Sequence, residues 1–496
     1  MSGSDASVTH VRSLFDGYDP GFGVWDEAFA GTGEPRHQYL RYLDQLGDFT
    51  VDELRRRSSM RDAMFRSRGI TFTVYGDDAG AERLLLMDLV PRIIPSADWA
   101  LLEAGLIQRV QALNLFLDDL YDGENTAVRD GVVPDWIVTT SDGFCREAFG
   151  VPAPGGVRAL VAGIDVVRDA DGKFLVLEDN LRNPSGVSYV LENREVMKRL
   201  FPRVSGAHRI RPVDNYGPLL LAALQAVAPG GAGDPSVAVL TPGTMNSAYF
   251  EHAFLAREMG AELVEGSDLI VDDHVVSMRT TRGLQRVDVI YRRLDDRFLD
   301  PVGFKSESMI GVPGLLAAAR AGNVTLANAI GNGAADDKAI YCFVPDLIRH
   351  YLAAEPLIDN VATYRLWEPD QLEEALGRLD QLVIKPVAGS GGYGIVIGPA
   401  ATDEELAETR AAILEDPRGW IAQEVVQLSR IPTMTGEGLG ARHVDLRPFV
   451  ISRPDGVDVM PGGLTRVALQ EGSLIVNSSQ GGGSKDTWVL LDEEAG

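Results

Sequence analysis

Only two cysteines, Cys145 and Cys342, occur among 496 residues, too few for a disulfide framework. Each adjoins a phenylalanine, Phe144 or Phe343, and thiols in apolar surroundings pack as small hydrophobes rather than act as nucleophiles. Positive charge is also short: 46 Lys and Arg stand against 72 Asp and Glu, a formal net charge of -26. Nucleic acids and anionic membranes are held by Lys and Arg that neutralise phosphates, so neither partner is expected. A few well-placed cations and backbone N–H groups can still hold a nucleotide. No run approaches the ~18 apolar residues of a membrane span. Residues 1–10 carry neither the basic start nor the apolar run of a targeting signal. A reduced, cytoplasmic setting is the expectation, and no internal repeat is seen.

What is present suits an α/β protein of two or three domains, with 45% hydrophobic and 24% charged residues. The first ninety residues hold Phe15, Tyr18, Trp25 and Tyr39 and a strand-like ITFTVYG at 70–76, with no chemistry attached. A helix is expected over 96–121, where Trp99, Leu102, Leu106, Val110, Leu113 and Leu117 recur at three- and four-residue steps after Pro95 and Ser96. IDVVRDADGKFLVLEDN at 164–180 reads as two strands about an Asp171-Gly172 turn. SVAVLTPG at 236–243, a helix over 246–259 and a returning AELVEG form a β-α-β unit, and VDVIYRRLDD at 287–296 adds a strand. GNGAADD at 331–337 looks like a join to a C-terminal domain. The expected divisions are 1–90, 91–204, 205–330 and 331–490.

In LVIKPVAGSGGYGIVIG (382–398), Gly389, Gly391 and Gly394 satisfy GxGxxG. A dinucleotide fingerprint needs a helix after the glycines, whereas IVIG is strand-like. A protein kinase needs its lysine after the loop, whereas Lys385 precedes it, and no HRD or DFG follows. A glycine-rich hairpin that lays backbone N–H groups over phosphates remains, and a bare hairpin with a surface lysine is the plainer alternative. Four further elements bear on the choice. Glu424 in AQEVV sits on a buried-looking strand whose backbone can meet adenine. Lys338 follows two aspartates. Asp445 and Arg447, two apart, share a strand face. Arg466 in GGLTRVAL is a further candidate ligand for phosphate or acyl phosphate.

The acidic element is the most specific. Glu178 and Asn180 share a strand face and offer two oxygen ligands of the kind Mg²⁺ takes beside phosphates and water. Asp165 stands thirteen residues earlier, on the other arm of the hairpin. Three surface acids and amides on a hairpin would look similar.

These elements together resemble the ATP-grasp superfamily, most closely its circularly permuted branch (type 2), which includes glutathionylspermidine synthase-like proteins. The resemblance implies an α/β (α+β) ATP-grasp fold in permuted order, with the β-α-β region as a pre-ATP-grasp-like substrate domain. It implies that Lys338 opens the ATP domain and that Lys385 precedes the flexible loop of Ser390, Gly391, Gly392, Tyr393 and Gly394. It further implies an adenine hinge at Gln423, Glu424 and Val425, a nucleotide contact at Asp445, and Mg²⁺, for which Mn²⁺ can substitute, on Asp165, Glu178 and Asn180. Arg292, Arg293 and Asp295 of YRRLDD would meet the substrate. Arg447, Arg466 and Lys385 would stabilise the transferred group. In ordinary members the metal triplet follows the lysines; here it precedes them. The implied activity joins a small-molecule or peptide carboxylate to an amine through an acyl phosphate, with ADP released. A phosphotransferase using the same clamp and a non-catalytic nucleotide-binding protein remain open.

Overall fold

The computed structural model describes residues 14, 15, 17–47, 49–73, 82–230, 233–389, 394–436, 438–476 and 481–491. Ser390, Gly391, Gly392 and Tyr393 of the glycine loop lie outside them, as do positions 74–76 of the ITFTVYG stretch, whose Thr71–Thr73 part is a strand.

The Ser96–Tyr121 helix forms where its periodicity requires, and all six apolar residues of the stripe are buried. Its Gly105 permits close packing, because a Cβ there would lie 2.4 Å from the Ile358 side chain. Beneath the helix runs a ten-stranded sheet. Its main order is Asp359–Asn360, Phe174–Asn180, Val161–Arg168, Leu439–Arg447, Leu464–Val467, Gly483–Val489 and Met87–Ile94. The Val161–Arg168 strand is buried along its whole length. Strands distant in sequence thus become neighbours: the hairpin that carries Asp165 and Glu178 abuts the strand that carries Asp445 and Arg447.

The β-α-β expectation is met by a parallel four-stranded sheet, ordered Thr325–Ala327, Val289–Arg292, Val237–Leu240 and Glu262–Val264. Its helix starts at Tyr249 rather than at 246. The Asn246 side chain accepts from the Ala248 N–H at 2.9 Å, a local bond that competes with helix.

GNGAADD is buried along most of its length. Residues Asn332–Asp336 form a short 3-10 turn, with Asn332, Ala334 and Ala335 fully buried. Glycine serves close approach here rather than freedom of movement. A Cβ on Gly331 would lie 2.6 Å from the Tyr121 ring, and one on Gly143 would lie 2.0 Å from the Gly333 carbonyl oxygen.

A smaller antiparallel sheet of Thr363–Arg365, Trp420–Glu424, Leu382–Pro386 and Val396–Ile397 carries the glycine hairpin. The Pro369–Leu376 and Asp403–Glu415 helices belong to this region, and a core of Leu366, Ala375, Leu379, Leu382, Ile384, Ile413 and Ala422 holds it together. Thr402 and Glu405 close a capping box at the second helix.

The N-terminal residues are part of this architecture. Met87–Ile94 pairs in parallel with Gly483–Val489, and the Tyr39 hydroxyl accepts from the Ile93 N–H at 2.9 Å. Glu27, buried, meets Arg92 Nη2 at 2.5 Å and Arg168 Nη1 at 3.0 Å. Among the described residues no helix is long and apolar enough to cross a membrane.

Candidate active site

Asp165 and Glu178 are paired directly across the antiparallel hairpin, as are Gly163 and Asn180. The hairpin turns where Asp169 accepts from the N–H groups of Asp171 and Lys173. Asp165 is 2% exposed. Its Oδ1 accepts from Arg447 Nε at 2.5 Å, and its Oδ2 accepts from Arg447 Nη2 and Arg466 Nη2, each at 2.8 Å. Arg466 Nε in turn donates to Asp445 Oδ1 at 2.9 Å. Two arginines and two aspartates therefore alternate in one chain, buried except at Arg447. Burial alone would raise the Asp165 carboxyl, but Arg447 and Arg466 hold it well below the usual carboxylate range.

The lysines reach the same place from elsewhere. Lys338 opens the Lys338–Tyr341 helix, which Asp337 caps by accepting from the Ala339 N–H at 2.7 Å. Its Nζ donates to the Gly389 carbonyl at 2.8 Å and lies 3.2 Å from Glu178 Oε1. Lys385 is 6% exposed. Burial lowers its ammonium to about 8, with Lys338 and Arg466 pushing the same way and Glu178 and Asp165 opposing them. Lys338, Lys385, Glu178, Asp165 and Arg466 thus share one electrostatic environment, although they span three hundred residues of chain.

The hinge residues divide between two faces. Register pairs Val383 with Gln423 and Leu382 with Glu424, so Gln423 shares the Lys385 face while Glu424 shares the face of the small core. Gln423 is buried, and its Nε2 donates to Thr363 Oγ1 at 3.0 Å while its Oε1 has no partner. The Glu424 carboxylate accepts from the Tyr364 hydroxyl at 2.7 Å and from Arg378 Nη1 at 3.0 Å. Val425 follows the strand end, half-buried. Gly389 and Gly394, which flank the loop, have φ of 122° and 74°, values that favour glycine.

The YRRLDD arginines turn inward. Arg292 donates to the carbonyls of Asn328, Leu294 and Ala329 at 2.6, 2.7 and 2.9 Å. Arg293 donates to Ser185 Oγ at 2.6 Å and to buried Glu251 at 3.1 Å. Asp295, by contrast, lines a cavity of about 680 Å³ that also touches Gly389 and Arg182. Sequence reading passed over Arg182, which follows the acidic element and donates from Nε to Asp336 Oδ2 at 2.7 Å. It also passed over the buried Arg109–Asp179 pair. The available signal for Arg109 was a cation three residues after Leu106 and four before Leu113, inside the apolar stripe.

Among the described residues no group of three or more His, Cys, Asp or Glu side chains is placed to hold a metal alone. Glu178 and Asn180 remain as hard oxygen donors on one strand face, with the Asn180 Nδ2 buried and unpartnered. Mg²⁺ usually takes one or two protein oxygens and completes its shell with phosphates and water, so these residues fit it. Both Asp165 oxygens are already engaged by guanidiniums.

A family model described as circularly permuted ATP-grasp type 2 matches residues 91–468. The chain belongs to this family. A protein of Synechocystis sp. (strain ATCC 27184 / PCC 6803 / Kazusa), named only as uncharacterized, is 52% identical over 473 residues, covering 95% of this chain and 98% of that one. A putative glutamate--cysteine ligase 2-3 of Frankia alni is 48% identical over 480 residues, covering 96% of this chain and 54% of the relative. In structure, the apo form of a glutathione synthetase-like effector from Globodera pallida superposes with a TM-score of 0.56. It is 12% identical and the match covers 89% of this chain and 98% of that one, a likeness of fold. Membership of an ATP-grasp family carries use of ATP and, usually, of a divalent metal. Permutation leaves its trace in this chain: Glu178 touches Lys338, which follows it by 160 residues. A change of connectivity of this kind is tolerated when the cut falls in an exposed loop.

Proposed function

We propose that this circularly permuted ATP-grasp protein is an ATP- and Mg²⁺-dependent ligase that joins a carboxylate to an amine through an acyl phosphate, releasing ADP. One observation carries the reading: Lys338 Nζ sits between Glu178 Oε1 at 3.2 Å and the Gly389 carbonyl at 2.8 Å, where the metal strand meets the glycine loop. The ligase name of the Frankia relative supports the same class.

In this reading Lys338 and Lys385 give two ammonium groups to the phosphates beside Gly389 and Gly394. Glu178 and Asn180 hold the divalent cation, which when bound offsets phosphate charge. Arg447 and Arg466 lie where charge develops on the carboxylate being phosphorylated, and preorganised donors of this kind stabilise a transition state by roughly 3–4 kcal/mol each. Asp165 and Asp445 hold those guanidiniums in place, and Asp165 joins the metal only if Arg447 and Arg466 release it. Gln423, on the Lys385 face, meets adenine through its side chain, while Glu424 and Val425 contribute backbone groups. Asp295 is the YRRLDD residue available to substrate; Arg292 and Arg293 shape the wall behind it.

Hydroxylamine trapping tests the ligase reading. With ATP, Mg²⁺ and a carboxylate library, ADP release accompanied by hydroxamate is expected, because only an activated carboxylate yields one. ADP release with a phosphorylated hydroxyl product and no hydroxamate would replace the reading with a phosphotransferase.

A further inference from the structure

We propose that Arg109 and Asp179 are positioning residues that fix the metal-binding strand against the Lys338 helix. The inference rests on the reading above, in which Glu178 and Asn180 hold the divalent cation.

Asp179 lies between those two residues, and strand alternation turns its side chain to the opposite face. There it is buried, and its two oxygens accept from Arg109 Nε and Nη2, both at 2.6 Å. Arg109 comes from the middle of the Ser96–Tyr121 helix. Its remaining nitrogen, Nη1, donates to Asn360 Oδ1 at 2.8 Å. Asn360 Nδ2 donates to the Tyr341 carbonyl at 2.9 Å, and the Tyr341 hydroxyl donates to the Val176 carbonyl at 2.7 Å. Tyr341 ends the helix that Lys338 begins, and Val176 lies on the strand of Glu178. The ring of contacts is therefore closed: strand, long helix, Asn360, short helix and strand again.

The ring gives the front of the strand its geometry. Apolar contacts tolerate small slides between a strand and a helix, whereas a bidentate guanidinium–carboxylate pair admits one orientation. Metal ligation tolerates about 0.2 Å, so a slide that packing would absorb is enough to misplace Glu178 and Asn180. The short helix already touches this strand through Lys338–Glu178 and Tyr341–Val176, but the long helix needs a polar anchor of its own to hold register with both. The Arg109 fork supplies it, and the guanidinium lies 5.4 Å from the Tyr341 ring centroid as well.

The test titrates MgCl₂ into the full chain with saturating ADP and reads the melting temperature, with Mn²⁺ electron paramagnetic resonance as a second signature. In Arg109→Lys, which keeps the charge and loses the fork, the Mg²⁺ concentration for half the metal-dependent stabilisation is expected to rise about tenfold or more. Stabilisation by ADP without metal should stay within about threefold in midpoint, and the Mn²⁺ signal of bound ion should broaden or vanish. Asn360→Ala, which cuts the ring but spares the buried ion pair, should move the Mg²⁺ midpoint in the same direction and guards against a misfolded first variant. A purely structural role would lower the melting temperature of both variants and leave the Mg²⁺ midpoint within twofold of wild type, which overturns the inference alone. A wild-type chain with no Mg²⁺-dependent gain overturns the metal reading and the inference with it.

Discussion

Asp165 stands directly opposite Glu178 in the hairpin register, yet the two carboxylates are neutralised from different parts of the chain. Asp165 takes Arg447 and Arg466 from the strands beside it, while Glu178 takes Lys338 from the helix in front. The first is enclosed; the second is 26% exposed at its side chain. Of the pair, Glu178 is the carboxylate whose partner can leave without stranding a buried charge.

That difference predicts the behaviour of Glu178→Gln. The amide keeps the shape and removes the charge that a divalent cation needs. ATP-dependent ADP release should fall by roughly a hundredfold or more, about 2.7 kcal/mol of transition-state stabilisation. Metal-free ATP binding, measured by calorimetry, should be unchanged or tighter, because Lys338 loses its competing partner. Retained turnover would remove Glu178 from the metal site.

Lys385 makes a prediction about protons. Its ammonium is lowered from 10.5 to about 8 by burial, ahead of its charged neighbours. The folded chain without nucleotide therefore holds this proton less tightly than the unfolded chain does, so the group's contribution to stability improves as pH rises from about 8 towards 10.5. Phosphates reverse the preference by favouring the charged form. ATP binding between about pH 8 and 10 should thus take up protons. Calorimetry in two buffers of different ionisation enthalpy reads the uptake, and Lys385→Met should abolish most of it. Equal uptake in the variant would assign the protons elsewhere.

Local elements were legible in the sequence to the degree that local rules decide them. The stripe from Trp99 to Leu117 marked a helix that runs over the expected 96–121 span. The acidic hairpin was readable because alternation and an Asp-Gly turn are short-range signals. The burial of residues 331–337 was not legible, since glycines that admit Tyr121 and Gly143 look in sequence like glycines of a mobile turn. Arg292 and Arg293 misled similarly: an arginine that binds carbonyls inside the fold has the same letter as one that binds substrate. The turn of Glu424 away from the lysines depends on strand register, which pairs it with Leu382 across 42 residues, a non-local fact. Resemblance to a family supplied the permuted order, which no local pattern encodes.

The N-terminal region should reveal itself in acid. Burial opposes ionisation of Glu27, but Arg92 and Arg168 outweigh it and hold the carboxyl below its ordinary value of 4.5. A lowered carboxylate contributes stability that is present above the unfolded value and lost as pH falls through the folded one. Wild-type unfolding free energy from urea melts should therefore decline below about pH 4.5. Glu27→Gln should cost about 3–5 kcal/mol at pH 7, because it leaves two buried guanidiniums short of a counter-charge. It should also flatten the acid slope. A loss under 1 kcal/mol would mean that Asp98, which also meets Arg168, and the Asp445 carbonyl, which accepts from Arg92, suffice without Glu27.

The two hinge side chains should part company. Gln423 lies on the Lys385 face with its orientation fixed by Thr363 and with Oε1 unpartnered, while the Glu424 carboxylate is tied to Tyr364 and Arg378 on the other face. A carboxylate that already accepts three hydrogen bonds away from the lysines has little to offer a base. Glu424→Gln should then shift ATP affinity by no more than about threefold, under 1 kcal/mol, and lose only a surface ion pair. Gln423→Leu is close in volume and removes the one acceptor, so it should weaken ATP by about tenfold, the worth of one buried neutral hydrogen bond. The readout that separates recognition from packing is discrimination: an acceptor oxygen suits the amino group of adenine and opposes the carbonyl of hypoxanthine. The ratio of ATP to ITP affinity should therefore fall towards one in Gln423→Leu and stay at the wild-type value in Glu424→Gln. If the ratio collapses in Glu424→Gln instead, the carboxylate must leave Arg378 when nucleotide binds, and the face assigned to adenine is the wrong one.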